Sequence, residues 1–493
     1  MSTLKKSLTG SFLLSFEAIL RKMVGLISTL ILARLLVPED FGLIAIALMV
    51  MGLIDAMKKF GGATYLLKSE HINTDMINTS WTINFSSNFI MALLLVIATP
   101  YIAEYYSDER LKAVLWAFAG IWIIRSLGNP ALVMLRREQN YLPIVKLSIF
   151  TKVIAVIVVI VSAVIFKSYW ALVLGQLTTY SLMSVGGYFL YKHRLKFCLV
   201  NFKEQWSFSS WWTLQSMIGF FKAQLDTFLV SSMFDKSALG SYHTIKYFAA
   251  MPITFLLEPA TTPLLVELRK IKDNKEYFNQ QYNVSFIVTF LVAAPLTLFL
   301  IQEHYLITAT LLGNNWVEYS ELFAIFCISI ITYTLQRQAL DVMVISGTTK
   351  GVFYFQTLSF LIVYGALLYS DINTVIEFAN LKINLEITIA TVLLSYITFK
   401  YTSLFNILNL LIASIPIIIS LFLCYQFRPP IDNAYSVIVQ LLIAGLIFFT
   451  TYLISLLFFC FLLKKSSPEW RYIWNLGVRI ITHNLIKTKK IKE

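Results

Sequence analysis

Ten cations interrupt stretches of the chain that are otherwise apolar: Arg21, Lys22, Lys58, Lys59, Arg125, Lys146, Lys152, Lys222, Lys246 and Arg337. Only five acids do the same, namely Glu17, Asp55, Asp226, Glu258 and Asp341. A cation held against hydrocarbon at mid-depth costs about 3 kcal/mol even on the lenient insertion scale. Ten such penalties exceed the folding free energy of an ordinary domain, so most of these groups must pair internally or line a wetted path. Their chemistry is recognition of an anion. The five histidines (71, 193, 243, 304 and 483) show no ligand spacing, and no nucleophile–base pair or carboxylate dyad is evident. The sequence therefore points to no catalytic residues, no metal and no cofactor.

The spacing of these residues follows the helical period. Glu17, Arg21, Gly25 and Ser28 form one polar and small-residue stripe, and so do Gly52, Asp55, Lys59 and Gly62. Ser216, Gly219, Lys222 and Asp226 form a third, and Ser329, Tyr333, Arg337 and Asp341 a fourth. Within each stripe an acid and a base stand one turn apart (Glu17 with Arg21, Asp55 with Lys59, Lys222 with Asp226, Arg337 with Asp341), so each pair could neutralise itself as helix packing. Once Asp55 is assigned to Lys59, no acid remains one turn from Lys22, Lys58, Arg125, Lys146 or Lys152. That excess predicts an anionic ligand such as a phosphate or pyrophosphate. The cavity set is Arg21, Lys22, Lys58, Lys59, Arg125, Lys146, Lys152 and Lys222. Asp55, Asp226, Glu258 and Asp341 are the candidates for coupling to an ion.

Helices that cross a bilayer must position these groups. The 493 residues are 58% hydrophobic and 14% charged, with mean hydropathy +0.72. Apolar runs of about 20 residues, enough to span ~30 Å of hydrocarbon, recur from end to end. The chain reads as an all-α polytopic membrane protein of about fourteen helices, with no cleavable leader. The net charge of +13 reflects cytoplasmic loops and anionic lipid rather than nucleic acid. Alternate loops, with both termini, hold 23 of the 40 Lys and Arg, and the opposite loops, including Lys236 and Lys382, hold 7. Both termini are therefore expected in the cytoplasm. Trp81, Trp170, Trp206, Trp211, Trp212 and Trp316 fall at expected helix ends, as an aromatic belt requires. Proline at 252, 259 and 263 around Glu258 predicts a bent helix. After Pro468, Trp470, Ile473, Trp474, Ile481 and Leu485 share one face among basic residues. They predict an amphipathic helix on the inner leaflet, removable without loss of the fold. The four cysteines predict no disulfide.

One pattern occurs twice. Ala33–Ala47 reads ARLLVPEDFGLIAIA, and FGGATYL follows at Phe60–Leu66. A second apolar run, acidic turn, glycine and apolar run surrounds Gly240, 198 residues after Gly42. A helical hairpin repeated at that distance argues for duplication. These stretches, with AQLDTFLVSSMFDKSALGSYHTIKYFAAMP at 223–252 and LLGNNWVEYSELFAI at 311–325, resemble the oligosaccharide-lipid flippases, the Wzx-type polysaccharide exporters. Arg34, Asp40, Phe41, Gly42, Asp226, Gly240 and Tyr242 match recurring positions of that family. They suit hairpin formation or helix packing more than substrate contact.

The resemblance implies two six-helix bundles (1–196 and 197–402), two further helices (403–463) and a basic tail (464–493). It also implies a monomer in the bacterial inner membrane that turns a polyprenyl-pyrophosphate-linked oligosaccharide from the inner to the outer leaflet by alternating access. Its partners would be that substrate, membrane lipid and glycan polymerase machinery. A cation-coupled exporter of small organic cations would need an acidic cavity, whereas bases outnumber acids here. A glycan polymerase or ligase would need a larger outer loop. The side assignment has a direct test: a reporter fused after Lys196 should be cytoplasmic and one fused at Asp235 external. The reverse result would overturn both the helix count and the orientation.

Overall fold

The computed structural model describes residues 3–57, 65–67, 69, 71–258, 268, 271, 274–401, 404–428, 436–465 and 467–475. The side chains of residues 3–8, 207–212, 214, 215, 275, 349 and 404–407 are not described. Among the described residues every regular element is a helix. Nine of these helices are long and apolar enough to cross a bilayer. The fold is that of an all-α, multi-pass membrane protein. Its contacts divide it into two compact units, Met1–His243 and Thr244–Glu493. The boundary expected from the repeat fell earlier, at 196/197.

The first unit contains α1 (Thr3–Leu35), α2 (Pro38–Met57), α3 (Thr74–Tyr105), α4 (Arg110–Ser126), the short α5 (Leu132–Arg137), α6 (Leu142–Phe166), α7 (Trp170–Leu190) and α8 (Phe202–Met233). The start of α9 (Lys236–Ala249) completes it. Local chemistry sets the helix starts. Pro38 opens α2, where its missing N–H leaves no donor unmet. Asn73 caps α3 by accepting from Met76 N, and Asp235 caps α9 by accepting from Ala238 N at 2.8 Å.

Small residues then let the helices close on one another. On α7, a Cβ at Gly175 would overlap Val159 and one at Gly186 would overlap Leu147, so α6 and α7 pack nearly backbone to side chain. A Cβ at Gly52 would lie 2.6 Å from Phe220, which seats α2 on α8. Polar ends tie α4 to α7: Asn129 Nδ2 donates to the carbonyls of Gly187 and Tyr191, and Tyr188 OH donates to that of Leu127.

The second unit starts inside α9. It contains a π-helical turn (Ile253–Leu257), α10 (Lys275–Gln302), α11 (His304–Leu311), a 3-10 turn (Asn314–Tyr319), α12 (Ser320–Cys327) and α13 (Ser329–Ile345). Then come α14 (Thr349–Tyr369), α15 (Val375–Tyr401), α16 (Leu404–Gln426), α17 (Val437–Leu463) and a helical run over 468–475. A π turn directly follows Pro252 and ends at Glu258, where the sequence predicts a bend. Pro259 and Pro263 lie outside the described residues.

Four sequence expectations change. Lys382, assigned to a loop, lies inside α15, is buried, and pairs with Glu386 at 3.4 Å. Its helix begins at Val375, because Thr374 and Glu377 bond each other's backbone N–H groups as a capping box. Trp81 and Trp316 are core residues rather than belt residues, at 5% and 0% exposure, and Trp81 Nε1 donates to the Ser126 carbonyl.

The fourth concerns the tail. Trp470 does not face lipid; it is fully buried in the core of the second unit with Ile287, Ala413 and Ile417, and its Nε1 donates to the Ala413 carbonyl at 3.1 Å. Glu469 is buried beside it, held by Asn283 Nδ2 and Ser467 Oγ. A helical face read from sequence is the same for a lipid surface and a protein groove. Here the groove between α16 and α17 takes it. Ile481 and Leu485 lie outside the described residues. Trp470→Ala should therefore destabilise the protein by about 3 kcal/mol, within the range for buried Trp truncation. It should lower the midpoint of thermal unfolding in detergent, and an unchanged midpoint would return the tail to the membrane surface.

Candidate functional site

Charged side chains gather at two places in the first unit. The first is the seam between α1 and α6. Arg21 donates to Glu17 at 3.4 Å and to Ser148 Oγ at 3.0 Å, and the Ser148 hydroxyl donates to Glu17. One serine on α6 thus fixes both members of the predicted pair on α1. One turn further along α6, the Lys152 side chain crosses α1 at Gly25, its Nζ 3.6 Å from where a Cβ would stand. That distance is ordinary van der Waals contact. Arg21 and Lys152 are then close enough for their like charges to act on one another. Arg21 keeps 47% of its side-chain surface exposed, while Glu17 keeps 16%. The result is a partly exposed patch with two cations against one acid. Lys22 and Lys146 are exposed on the same two helices.

Arg125 was expected to lack an acidic partner, and the structure corrects this. Its guanidinium donates to both oxygens of Asp55 at 3.2 Å and lies over the Tyr180 ring at 5.2 Å from the centroid. Asp55 thus joins α2 to α4. Lys58 and Lys59 lie outside the described residues. An i, i+4 rule cannot see a partner brought in by another helix, and Asp55 and Arg125 are 70 positions apart.

The expected Lys222–Asp226 pair is likewise absent. No ion pair joins these two residues. Asp226 is 1% exposed and accepts from Tyr242 OH at 2.9 Å and from Thr227 N at 2.7 Å, while Lys222 stays half-exposed. Asp226 thereby ties α8 to α9, the packing role its position suggested. In the second unit the predicted Arg337–Asp341 pair forms at 3.1 Å, and the charge of Glu258 also acts on Arg337.

The second gathering is where α2 and α9 begin, and sequence reasoning missed its central residue. A Cβ at Gly42 would overlap the Lys236 carbonyl oxygen and lie 2.8 Å from its carbon. A Cβ at Gly240 would overlap the Pro38 carbonyl oxygen and lie 2.6 Å from Gly42 N. Pro38 and Lys236 are themselves 198 positions apart, as are the glycines. Each hairpin repeat therefore sets its glycine on the other's backbone carbonyl.

Asp108, from the turn between α3 and α4, locks this crossing. It is 7% exposed, accepts two bonds from Arg110 at 2.8 and 3.0 Å, and meets Lys236 Nζ at 2.9 Å. Arg110 continues to Glu39 at 2.5 Å. Burial raises the Asp108 carboxyl's pKa, but the hydrogen bonds from Arg110 and Lys236 outweigh it, and the group is held down at about 2. A repeat search could have flagged Lys236 through Pro38; Asp108 carries no sequence signal.

Among the described residues no cluster of three or more His, Cys, Asp or Glu could hold a metal. With this geometry in hand, comparison with known proteins is informative. The family model described as polysaccharide biosynthesis protein matches residues 31–321. The lipopolysaccharide biosynthesis protein WzxC of Escherichia coli (strain K12) is 19% identical over 66% of this chain and 68% of its own length. The succinoglycan biosynthesis transport protein ExoT of Rhizobium meliloti (strain 1021) is 22% identical over 89% of this chain and 88% of its own. Among solved structures, the lipid II flippase MurJ in an inward closed conformation superposes with TM-score 0.66 at 16% identity. It covers 89% of this chain and 98% of that one, a likeness of fold.

The Asp108 lock has a pH signature. Its folded pKa lies below the ordinary 3.8, so its stabilisation is complete above about pH 4 and disappears as pH falls through about 2. Asp108→Asn, which keeps shape but removes charge, should cost about 1–3 kcal/mol at pH 7. In thermal unfolding the gap between wild type and variant should narrow below pH 4. A gap independent of pH would mean the carboxylate charge is not what holds the crossing.

Proposed function

Because the chain belongs to the polysaccharide biosynthesis protein family, we propose that it is a flippase for a polyprenyl-pyrophosphate-linked oligosaccharide. It would act as a monomer in the bacterial inner membrane with both termini cytoplasmic, and would not be an enzyme. The transfer runs from the cytoplasmic to the outer leaflet by alternating access and serves a surface polysaccharide. The observation that carries the reading is the cationic patch on α1 and α6. Arg21 and Lys152 stand together on membrane helices with one acid between them, and Arg21 is half-exposed. Such a patch replaces the hydration that a pyrophosphate gives up on leaving interfacial water, and a hydrogen bond to a charged group contributes about 1.5–3 kcal/mol. Arg125 drops in rank as a substrate contact, because Asp55 already balances it.

The α2–α9 crossing suits the outer gate of such a cycle. It is held by backbone contact and by one carboxylate with two cations, an arrangement with few contacts to break when the gate opens. Ion coupling, weighed for Asp55, Asp226, Glu258 and Asp341, fits best in the second unit, where Glu258 and Asp341 both act on Arg337. Asp226 is closed off by Tyr242, and Asp55 is paired with Arg125. The names of WzxC, ExoT and MurJ support the substrate class.

Loss of the gene should accumulate a lipid-linked oligosaccharide with its sugar facing the cytoplasm. At matched protein level, Lys152→Ala and Arg21→Ala should each lower transport about tenfold, the effect of one lost charge-assisted bond. Arg21→Lys should retain part of it. Full transport in both alanine variants would remove the patch from the mechanism. A gene deletion without accumulation would remove the function itself.

A further inference from the structure

The first unit contains two adjoining cavities that the transport reading does not use. One, of about 600 Å³, lies between α2, α3 and α8 and is lined by apolar side chains, among them Met49, Leu53, Leu94, Ala98, Phe221 and Phe228. Along α3 it extends from Met91 to Tyr105, about 21 Å at 1.5 Å per residue. That exceeds the ~15 Å depth of one leaflet's hydrocarbon, half of ~30 Å. The other cavity, of about 630 Å³, is polar and is lined by Glu39, Ser107, Ser231, Ser232, Asp235 and Lys236 among others.

Tyr105 and Tyr106 line both cavities, so the polar one sits at the end of the apolar one. The two rings meet edge to face at 4.9 Å, and Tyr106 OH bonds Ser231 Oγ at 3.0 Å, forming a polar lintel between tail space and head space. Burial raises the Tyr106 pKa, which keeps that hydroxyl neutral.

The electrostatics of the polar cavity select the head. Lys236, its one lining cation, is bound to Asp108, and Glu39 is bound to the Arg110 guanidinium. Asp235 is exposed and, among the described residues, in no ion pair. An anionic head would meet the Asp235 carboxylate with both neighbouring cations already engaged. An ammonium with N–H donors would meet that carboxylate and several hydroxyls.

We propose that this composite cavity binds a phospholipid with a primary-amine head, one acyl chain lying along α3 and the ammonium on Asp235. The site is separate from the flippase reading: its occupant is a membrane lipid that braces α3 against the α2–α8 pair beside the crossing.

The test uses the full-length protein purified from bilayers containing equal parts phosphatidylethanolamine, phosphatidylcholine and phosphatidylglycerol. Retained lipids are read by native mass spectrometry. Phosphatidylethanolamine should be enriched about tenfold over the other two, as one charge-assisted contact would give. Asp235→Asn keeps an acceptor for the Ala238 N–H and so preserves the helix cap; it should abolish the preference while lipid is still retained. Ala98→Trp, which fills the tail space, should abolish retention. If the Trp variant does not fold, Asp235→Asn alone decides the proposal. Retention in the proportions of the bulk mixture, enrichment of phosphatidylglycerol or of a polyprenyl phosphate, or a preference unchanged by Asp235→Asn would each overturn it.

Discussion

Two glycines set the terms for the first unit. At Gly42 and Gly240 the backbone of one hairpin touches the backbone of the other, and each glycine rests on the residue four positions before its counterpart. The contact has the reciprocity of a two-fold interface, i on j and j on i, written within one chain by duplication. No side chain can stand there, because the obstacle is a carbonyl rather than a movable group. The approach also brings two helix N-termini together, and each carries about half a positive charge. Glu39, Asp40, Asp108 and Asp235 all lie close to these ends in sequence or space. They compensate the paired dipoles, and Arg110 and Lys236 in turn keep the carboxylates from repelling one another.

The charges inside the membrane obey a second constraint, that a buried charge needs a partner. The sequence led toward neutralisation along single helices, and this holds for Glu17 with Arg21 and for Arg337 with Asp341. Elsewhere a second helix or a neutral group takes part. Asp55 joins Arg125 across α2 and α4, and Asp226 is satisfied by a neutral hydroxyl rather than by Lys222. Removing an acid from an in-helix pair releases a cation elsewhere, so Lys222 becomes more available just as Arg125 becomes less so. Lys382 adds to the count of cations inside helices, and their allocation needed three dimensions.

What could be read from the residues follows the same division. The helical class, the repeat and the Gly42–Gly240 equivalence were legible because hydropathy and spacing are properties of a single strand of text. Lys152 over Gly25 was half legible: both residues were noted, but only packing of α6 on α1 puts one on the other. Asp108 was illegible, because its partner Lys236 is brought to it only by the packing of α9. Trp470 was misleading, since an apolar helical face does not say whether lipid or protein will cover it, and here Ala413 offers its carbonyl to the indole.

The two hairpins, alike in their crossing, differ in how they are held together. Asp226 and Tyr242 bridge α8 to α9 through a buried hydrogen bond. The positions 198 residues earlier are Ser28 and Ile44, also buried but unable to form that bond. A bond between a buried carboxylate and a phenol weakens steeply with misalignment, so α8 and α9 are constrained to move as one piece. The first hairpin has no such bond between those two positions. It also carries Arg21, which bonds Ser148 of α6. The duplicated ends thus form a symmetric contact between unequal arms, one tied by a buried hydrogen bond and the other bearing the cationic patch. If the crossing parts during transport, the strain falls on α1 and α2, where a change in the α1–α6 seam would alter the setting of Arg21 and Lys152.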